Sequence, residues 1–188
     1  NGVAPYTFAW STADGTGLVA ADEDQTGLTA GTYDVLITDA NGCTISDSYI
    51  LTEPDPLTAT AVLSASTAGG FNLNCNGDSD GTITLTVSDG VGPYAFAWTT
   101  ADGSGLSANN KDQSGLTAGT YDVTITDANG CVFSDSYILT EPDPLNATAV
   151  LSSSTAGGFN LECNGDNDGT ITLTVTDGVA PYTFAWTT

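Results

Sequence analysis

Carboxylates are the groups in this sequence best placed to do chemistry, and their spacing points toward a cation. Asn76-Gly-Asp78-Ser-Asp80-Gly81 recurs as Asn164-Gly-Asp166-Asn-Asp168-Gly169. Short acids at alternate positions ahead of a glycine can wrap calcium, which takes about six to eight oxygens. An EF-hand is excluded, because its twelfth position falls on Val87 where a bidentate Glu is required. A calcium site would have to borrow ligands from Glu53 and Asp55 or Glu141 and Asp143, or from Asp127 and Asn129. Calcium bound there would stiffen the chain. The competing reading is that Asp and Gly simply make and solvate the turns. Nucleophilic catalysis lacks its usual partner: the chain has no His and one basic residue, Lys111. Paired carboxylates hydrolyse glycosides, but these acids fall in turns and on outward strand positions. The expectation is that the chain is not an enzyme.

The elements that would carry these loops repeat. Asn1-Gly-Val-Ala-Pro-Tyr-Thr-Phe-Ala-Trp10 returns as Asp89-Gly-Val-Gly-Pro-Tyr-Ala-Phe-Ala-Trp98 and again as Asp177-Gly-Val-Ala-Pro-Tyr-Thr-Phe-Ala-Trp186. The offset is 88 residues, needs no gap, and leaves about 80% identity between copies. A unit of that size is a small domain. Thr52-Glu-Pro-Asp-Pro-Leu57 and Thr140-Glu-Pro-Asp-Pro-Leu145 are stiff connectors. Residues 1–52 therefore read as the back of one repeat, 57–139 as a complete repeat and 145–188 as the front of the next, a window on a longer array.

Within the complete repeat the hydrophobic period is two. Ile83, Leu85 and Val87 share a face, as do Tyr94, Phe96 and Trp98, and Tyr121, Val123 and Ile125. Asp127-Ala-Asn-Gly130 is a hairpin turn, 132–139 the last strand, and 57–63 and 71–75 the first strands around a turn at 67–70. About seven short strands predict an all-β fold of tandem immunoglobulin-like antiparallel sandwiches. Leu116-Thr-Ala-Gly-Thr-Tyr121, like its copy ending at Tyr33, has the form of a tyrosine corner. Trp10, Trp98 and Trp186 are expected in the core. Thr82, Thr84, Thr86, Thr124 and Thr126 face outward; a flat threonine array can bind ice or sugar, but Thr is also an ordinary residue of a solvated strand face.

Cys75-Asn-Gly-Asp-Ser-Asp-Gly81, Asp89-Gly-Val-Gly-Pro-Tyr94 leading to Trp98, Leu116-Thr-Ala-Gly-Thr-Tyr121 running to Thr126-Asp-Ala-Asn-Gly-Cys131, and the linker with Glu141-Pro142 together resemble the SprB-repeat family, which is related to PKD-like sandwiches. The stretch 65–70 departs from it by lengthening the front strand. The resemblance implies long arrays in large bacterial cell-surface proteins, some of them acting in gliding motility and adhesion and exported by the type IX system. It implies an extracellular location at the bacterial surface.

In that setting an even cysteine count reads as disulfides. Cys43, Cys75, Cys131 and Cys163 supply two per repeat. A Cys75–Cys131 bridge within the complete repeat is favoured, worth ~4 kcal/mol in the chain-entropy model, with the partners of Cys43 and Cys163 outside this window. The rival pairing joins neighbouring repeats, for example Cys43 with Cys75. Zinc is not expected, since neither a CxxC nor a His is present.

The net charge of -22 excludes nucleic acid and anionic membranes as partners, and no apolar run approaches the ~20 residues of a membrane span. The expected partners are neighbouring repeats, like chains in a filament, and surface polysaccharide. The expected function is a stalk or filament of a secreted adhesin; the alternative is a carbohydrate-binding module. Lys111 is matched by Glu23 and the acceptor-like Asn146 by Thr58, so neither is a repeated device.

Overall fold

The computed structural model describes residues 2–67, 69–155 and 157–187. Asn1, Ala68 of the predicted turn 67–70, Ala156 and Thr188 lie outside the described residues. Those described form strands and turns and no helix, as the period-two patterning predicts. The chain divides into two compact units, Asn1–Asp55 and Pro56–Thr188, and the division falls inside the first proline linker.

The first unit holds one antiparallel sheet of β1 (Thr7–Thr12), β2 (Gly31–Thr38) and β3 (Thr44–Leu51), in the order β1-β2-β3. The second unit begins with the complete repeat: β4 (Thr58–Leu63), β5 (Gly81–Ser88), β6 (Ala95–Thr100), β7 (Gln113–Leu116), β8 (Gly119–Thr126) and β9 (Val132–Leu139). Two three-stranded antiparallel sheets result, β4-β5-β7 and β6-β8-β9. The next repeat contributes β10 (Asn146–Leu151) paired with β11 (Ile171–Thr176). Pairing repeats at the 88-residue offset: Trp10 faces Val35 as Trp98 faces Val123.

The sandwich closes because each sheet has one apolar face. Ile83 and Leu85 of β5, Tyr121, Val123 and Ile125 of β8, and Leu73, Leu116, Leu139 and Trp98 form one buried cluster. Thr84 and Thr86 point to solvent, while Thr82, Thr124 and Thr126 are half-buried. Each large aliphatic side chain buried there contributes about 2 kcal/mol, and no other cluster of buried residues is found among the described residues.

Two expectations are corrected. Residues 71–75 are not a strand but a run of bends. The Asn72 and Leu73 amides both donate to the Thr140 carbonyl, at 2.9 and 3.0 Å. The Asn72 side chain bridges the Ser64 carbonyl (2.7 Å) and the Thr140 amide (2.9 Å). This segment is held by end-to-end ties rather than by a ladder. Among the described residues the complete repeat accordingly has six strands rather than about seven, and one of them, β7, lies where the sequence reading assigned no element. Gln113 explains it. Its buried amide accepts from Ser107 N–H and donates to the carbonyls of Ser107 and Asn110, at 2.9, 2.9 and 2.8 Å, so the loop before β7 folds around a side chain.

Tyr121 pins the same loop. Its hydroxyl lies 2.9 Å from the carbonyls of Thr117, four residues upstream, and Ser104, and accepts the Ser104 amide at 3.2 Å. Gly103 and Gly119 make room for it. A Cβ on Gly103 would overlap the Tyr121 hydroxyl, and one on Gly119, whose φ is 152°, would press on the Gly103 backbone. Tyr121→Phe should therefore lower the stability of the second unit by about 1–2 kcal/mol. Gly103→Ala should cost about 1–3 kcal/mol through overpacking. Both are read as midpoint shifts in urea denaturation.

Candidate functional site

Four of the carboxylates that the sequence singles out, Asp78, Asp80, Glu141 and Asp166, are spent on bracing loops. Asp78 accepts the Cys75 amide at 3.0 Å, and Asp166 accepts the Cys163 amide at 2.7 Å. Asp80 accepts the side-chain amide of Asn74. Glu141 reaches across 64 residues: one carboxylate oxygen takes the Gly77 amide at 2.7 Å, the other the Asn76 side chain at 2.9 Å. Asn76 also donates to the Pro142 carbonyl at 3.2 Å. Asp143 uses its backbone, its carbonyl accepting the Gly178 amide at 3.1 Å. Glu53, Asp55 and Asp168 are exposed.

A calcium ion needs several of these oxygens to converge on one point. Among the described residues no three Asp, Glu or Cys side chains are gathered closely enough to hold a metal ion. Asp127 and Asn129 do not join the loop at 76–81 either. Asp127 is buried and fully used: one oxygen accepts the amides of Asn129 (2.9 Å) and Cys131 (2.8 Å), the other that of Val91 (2.9 Å). These amides, Val91 first, hold its carboxyl below the usual value of 3.8, against an opposing contribution from burial. Asp39 in the first unit is lowered the same way by Val3 and Cys43.

The two acidic clusters therefore mark opposite ends of the sandwich. β4 and β9 start at the end where Leu57 packs on Gly90 and where hairpin 127–131 sits. Both strands finish at the other end, where loop 75–80 meets Thr140, Glu141 and Pro142. The linker is clamped at both sides, by Asn76 and Gly77 to the repeat it leaves and by Gly178 to the repeat it enters.

This polarity decides the cysteines. All four thiols are free and exposed. Cys131 precedes β9 and Cys75 belongs to the loop bound beyond the far end of β9. The eight residues of that strand span about 26 Å at ~3.3 Å per residue. A disulfide requires Cα atoms within about 7 Å. The favoured Cys75–Cys131 bridge is thus not formed, because a loop that looks closable along the chain runs the length of the domain.

Trp98 is 2% exposed, with its indole donating to the Asn110 carbonyl at 2.9 Å, and it lies 6.1 Å from the Tyr137 ring. Burial pushes the Tyr137 phenol up to about 12. Trp10 makes the corresponding bond to the Asp22 carbonyl at 3.0 Å, and Tyr33 reaches the Thr29 carbonyl at 2.9 Å. Trp186, without an opposing sheet, is 66% exposed. Lys111 donates to the Leu85 carbonyl at 2.6 Å and pairs with Asp112 at 3.0 Å.

Sequence reasoning missed Gln113, and with it Gln25, which holds Val19 and Asp22 alike. The available signal was a Gln retained ahead of a Gly-Leu in both copies.

These features define a class: a small antiparallel sandwich, entered at one end and left at the other, whose acids brace turns and linkers. Residues 72–103 and 160–188 each match the family model described as SprB repeat. The two matches start 88 residues apart, at the same point of successive repeats, and the resemblance read from the sequence is shown by them. SprB repeats occur in surface-associated proteins. Among curated proteins no match is found.

Three outcomes are expected. Excess chelator or added calcium should leave the melting temperature unchanged in circular dichroism, because Asp78, Asp127, Glu141 and Asp166 already accept backbone amides and no three acids converge among the described residues. Glu141→Ala should speed hydrogen exchange at the Gly77 amide and destabilise the linker end by about 1–2 kcal/mol. Asp127→Asn should lower stability at neutral pH and flatten the acid limb of the pH–stability curve. A depressed folded-state value means that this carboxylate stabilises the fold above pH 3.8 and that the contribution fades as pH falls below it.

Proposed function

We propose that this chain is a length-holding segment of the stalk or filament of a secreted bacterial surface adhesin. The observation that carries the reading is the end-to-end path of the complete repeat. The chain enters at Leu57 and leaves past Leu139 at the opposite end, and the linker is hydrogen-bonded on both sides. Copying such a unit at about 80% identity adds length in equal steps and keeps one surface throughout. The charge supports it. With 23 acidic residues against one basic residue, neighbouring repeats and like chains repel, which favours an extended, soluble array outside the cell. The apolar side chains of the complete repeat go chiefly into its core, and its aromatic residues Trp98 and Tyr121 are buried.

Pulled between its ends in a force spectrometer, the chain should give a discrete rupture for repeat 57–139. That event should release about 250 Å of contour, from 83 residues at ~3.4 Å each less the folded length. Featureless extension would remove the mechanical reading. On a glycan array the chain should bind nothing; specific binding would instead favour recognition of extracellular polysaccharide by each repeat.

A further inference from the structure

The free thiols have a consequence at the junction between repeats. In the second unit Cys75 and Asn76 form one wall of a cleft of about 770 Å³, and Leu145, Val179 and Phe184 of the following repeat form the other. That opposite wall is the foot of the next sandwich with its cover missing: Leu145 is 64% exposed, whereas its counterpart Leu57 is 8% exposed. The complete repeat shows what covers it. Hairpin 127–131 sits on Gly90 and Val91, with the Ala128 amide on the Val91 carbonyl (2.8 Å) and the Asp127 carboxylate on the Val91 amide (2.9 Å). The counterparts of Gly90 and Val91 are Gly178 and Val179, and both line the cleft that holds Cys75. A following repeat that is complete therefore brings its own hairpin, ending in the counterpart of Cys131, into the cleft beside Cys75.

We propose that the two cysteines of each repeat serve its two neighbours: the loop cysteine of one repeat forms a disulfide with the hairpin cysteine of the next. The partner of Cys75 is then the cysteine 144 residues downstream, since Cys131 plus one repeat of 88 lies that far on. The reaction is thiol–disulfide exchange with a small-molecule disulfide. One protein thiolate displaces a thiol from the oxidant to give a mixed disulfide, and the second protein thiolate then displaces the other. Two protein thiols lose two electrons and two protons, and one oxidant disulfide becomes two thiols. An array stapled this way has a shorter covalent path. From staple to staple it runs only the 56 residues between a loop cysteine and the hairpin cysteine of its own repeat, rather than 88.

The proposal does not depend on the stalk reading, because the bond forms or fails whatever the array does. The test is the present chain extended after Thr188 by a copy of residues 101–139, which completes the second repeat. It is oxidised at low concentration with glutathione disulfide and digested for non-reducing mass spectrometry. The expected product links the Cys75 peptide to the hairpin peptide of the added segment. Cys75→Ser should abolish that link and Cys163→Ser should leave it intact, both with unchanged circular dichroism. Force extension of the oxidised chain should lose most of the release seen in the reduced chain, because its single bond bypasses the residues between Cys75 and the hairpin cysteine 144 residues on. A link between Cys75 and Cys131, a link found only between separate molecules, or a Cys75 that remains a thiol under these conditions would each overturn the proposal.

Discussion

Neither sheet of this repeat can bury the whole of its apolar face by itself, and the core of the complete repeat depends on the two faces meeting. The same sequence shows the difference in its different contexts. Ile125 is fully buried where both sheets are present, whereas its counterpart Ile37 is only half-buried in the single sheet of the first unit. Ile83 is 0% exposed in the complete repeat and Ile171 is 56% exposed in the two-stranded sheet that follows. Strand formation is local, set by alternation and by β-branched residues. Burial is not local: it requires β5 and β8, nearly 40 residues apart, to share one core.

A domain this small spends much of its polar inventory on its own loops. Tyr121, Trp98, Gln113, Asp127 and Glu141 each satisfy backbone groups that no ladder reaches. Buried or crowded backbone amides must find acceptors, and carboxylates accept amides about twice as strongly as neutral groups do. The abundance of Asp in turns therefore has a structural cause within each repeat, and the surplus on the outside makes the surface self-repelling.

The ends of the sandwich are chemically different, and this matters more for function than any single side chain. One end presents the hairpin with Asp127 and Cys131; the other presents the loop with Cys75, Asn76 and Gly77 under Glu141. Where the complete repeat meets the one that follows it, the end with Cys75 and Asn76 faces the end with Leu145 and Gly178. A heterologous contact of this kind propagates without closing.

What the sequence determined by itself was everything that has a short period or an exact copy: most strands from residue alternation, the hairpin from Asp-Ala-Asn-Gly, the repeat and its linkers from identity at a fixed offset, and the resemblance to SprB repeats from its motifs. What the tertiary structure alone decided was distance. Residues 71–75 alternate like a strand, yet they bend, because Asn72 ties two strand ends together. Cys75 and Cys131 look like the two ends of a closable loop, yet a full strand length separates them. The carboxylates at 78, 80, 127 and 141 look like a ligand set, yet Asp127 serves the hairpin at the opposite end from the loop on which the other three are each taken by an amide. The physical reason is common to all three. Local pattern fixes which way a side chain faces, but which remote groups it meets is set by the path of the chain through two sheets, and no short-range signal encodes that path.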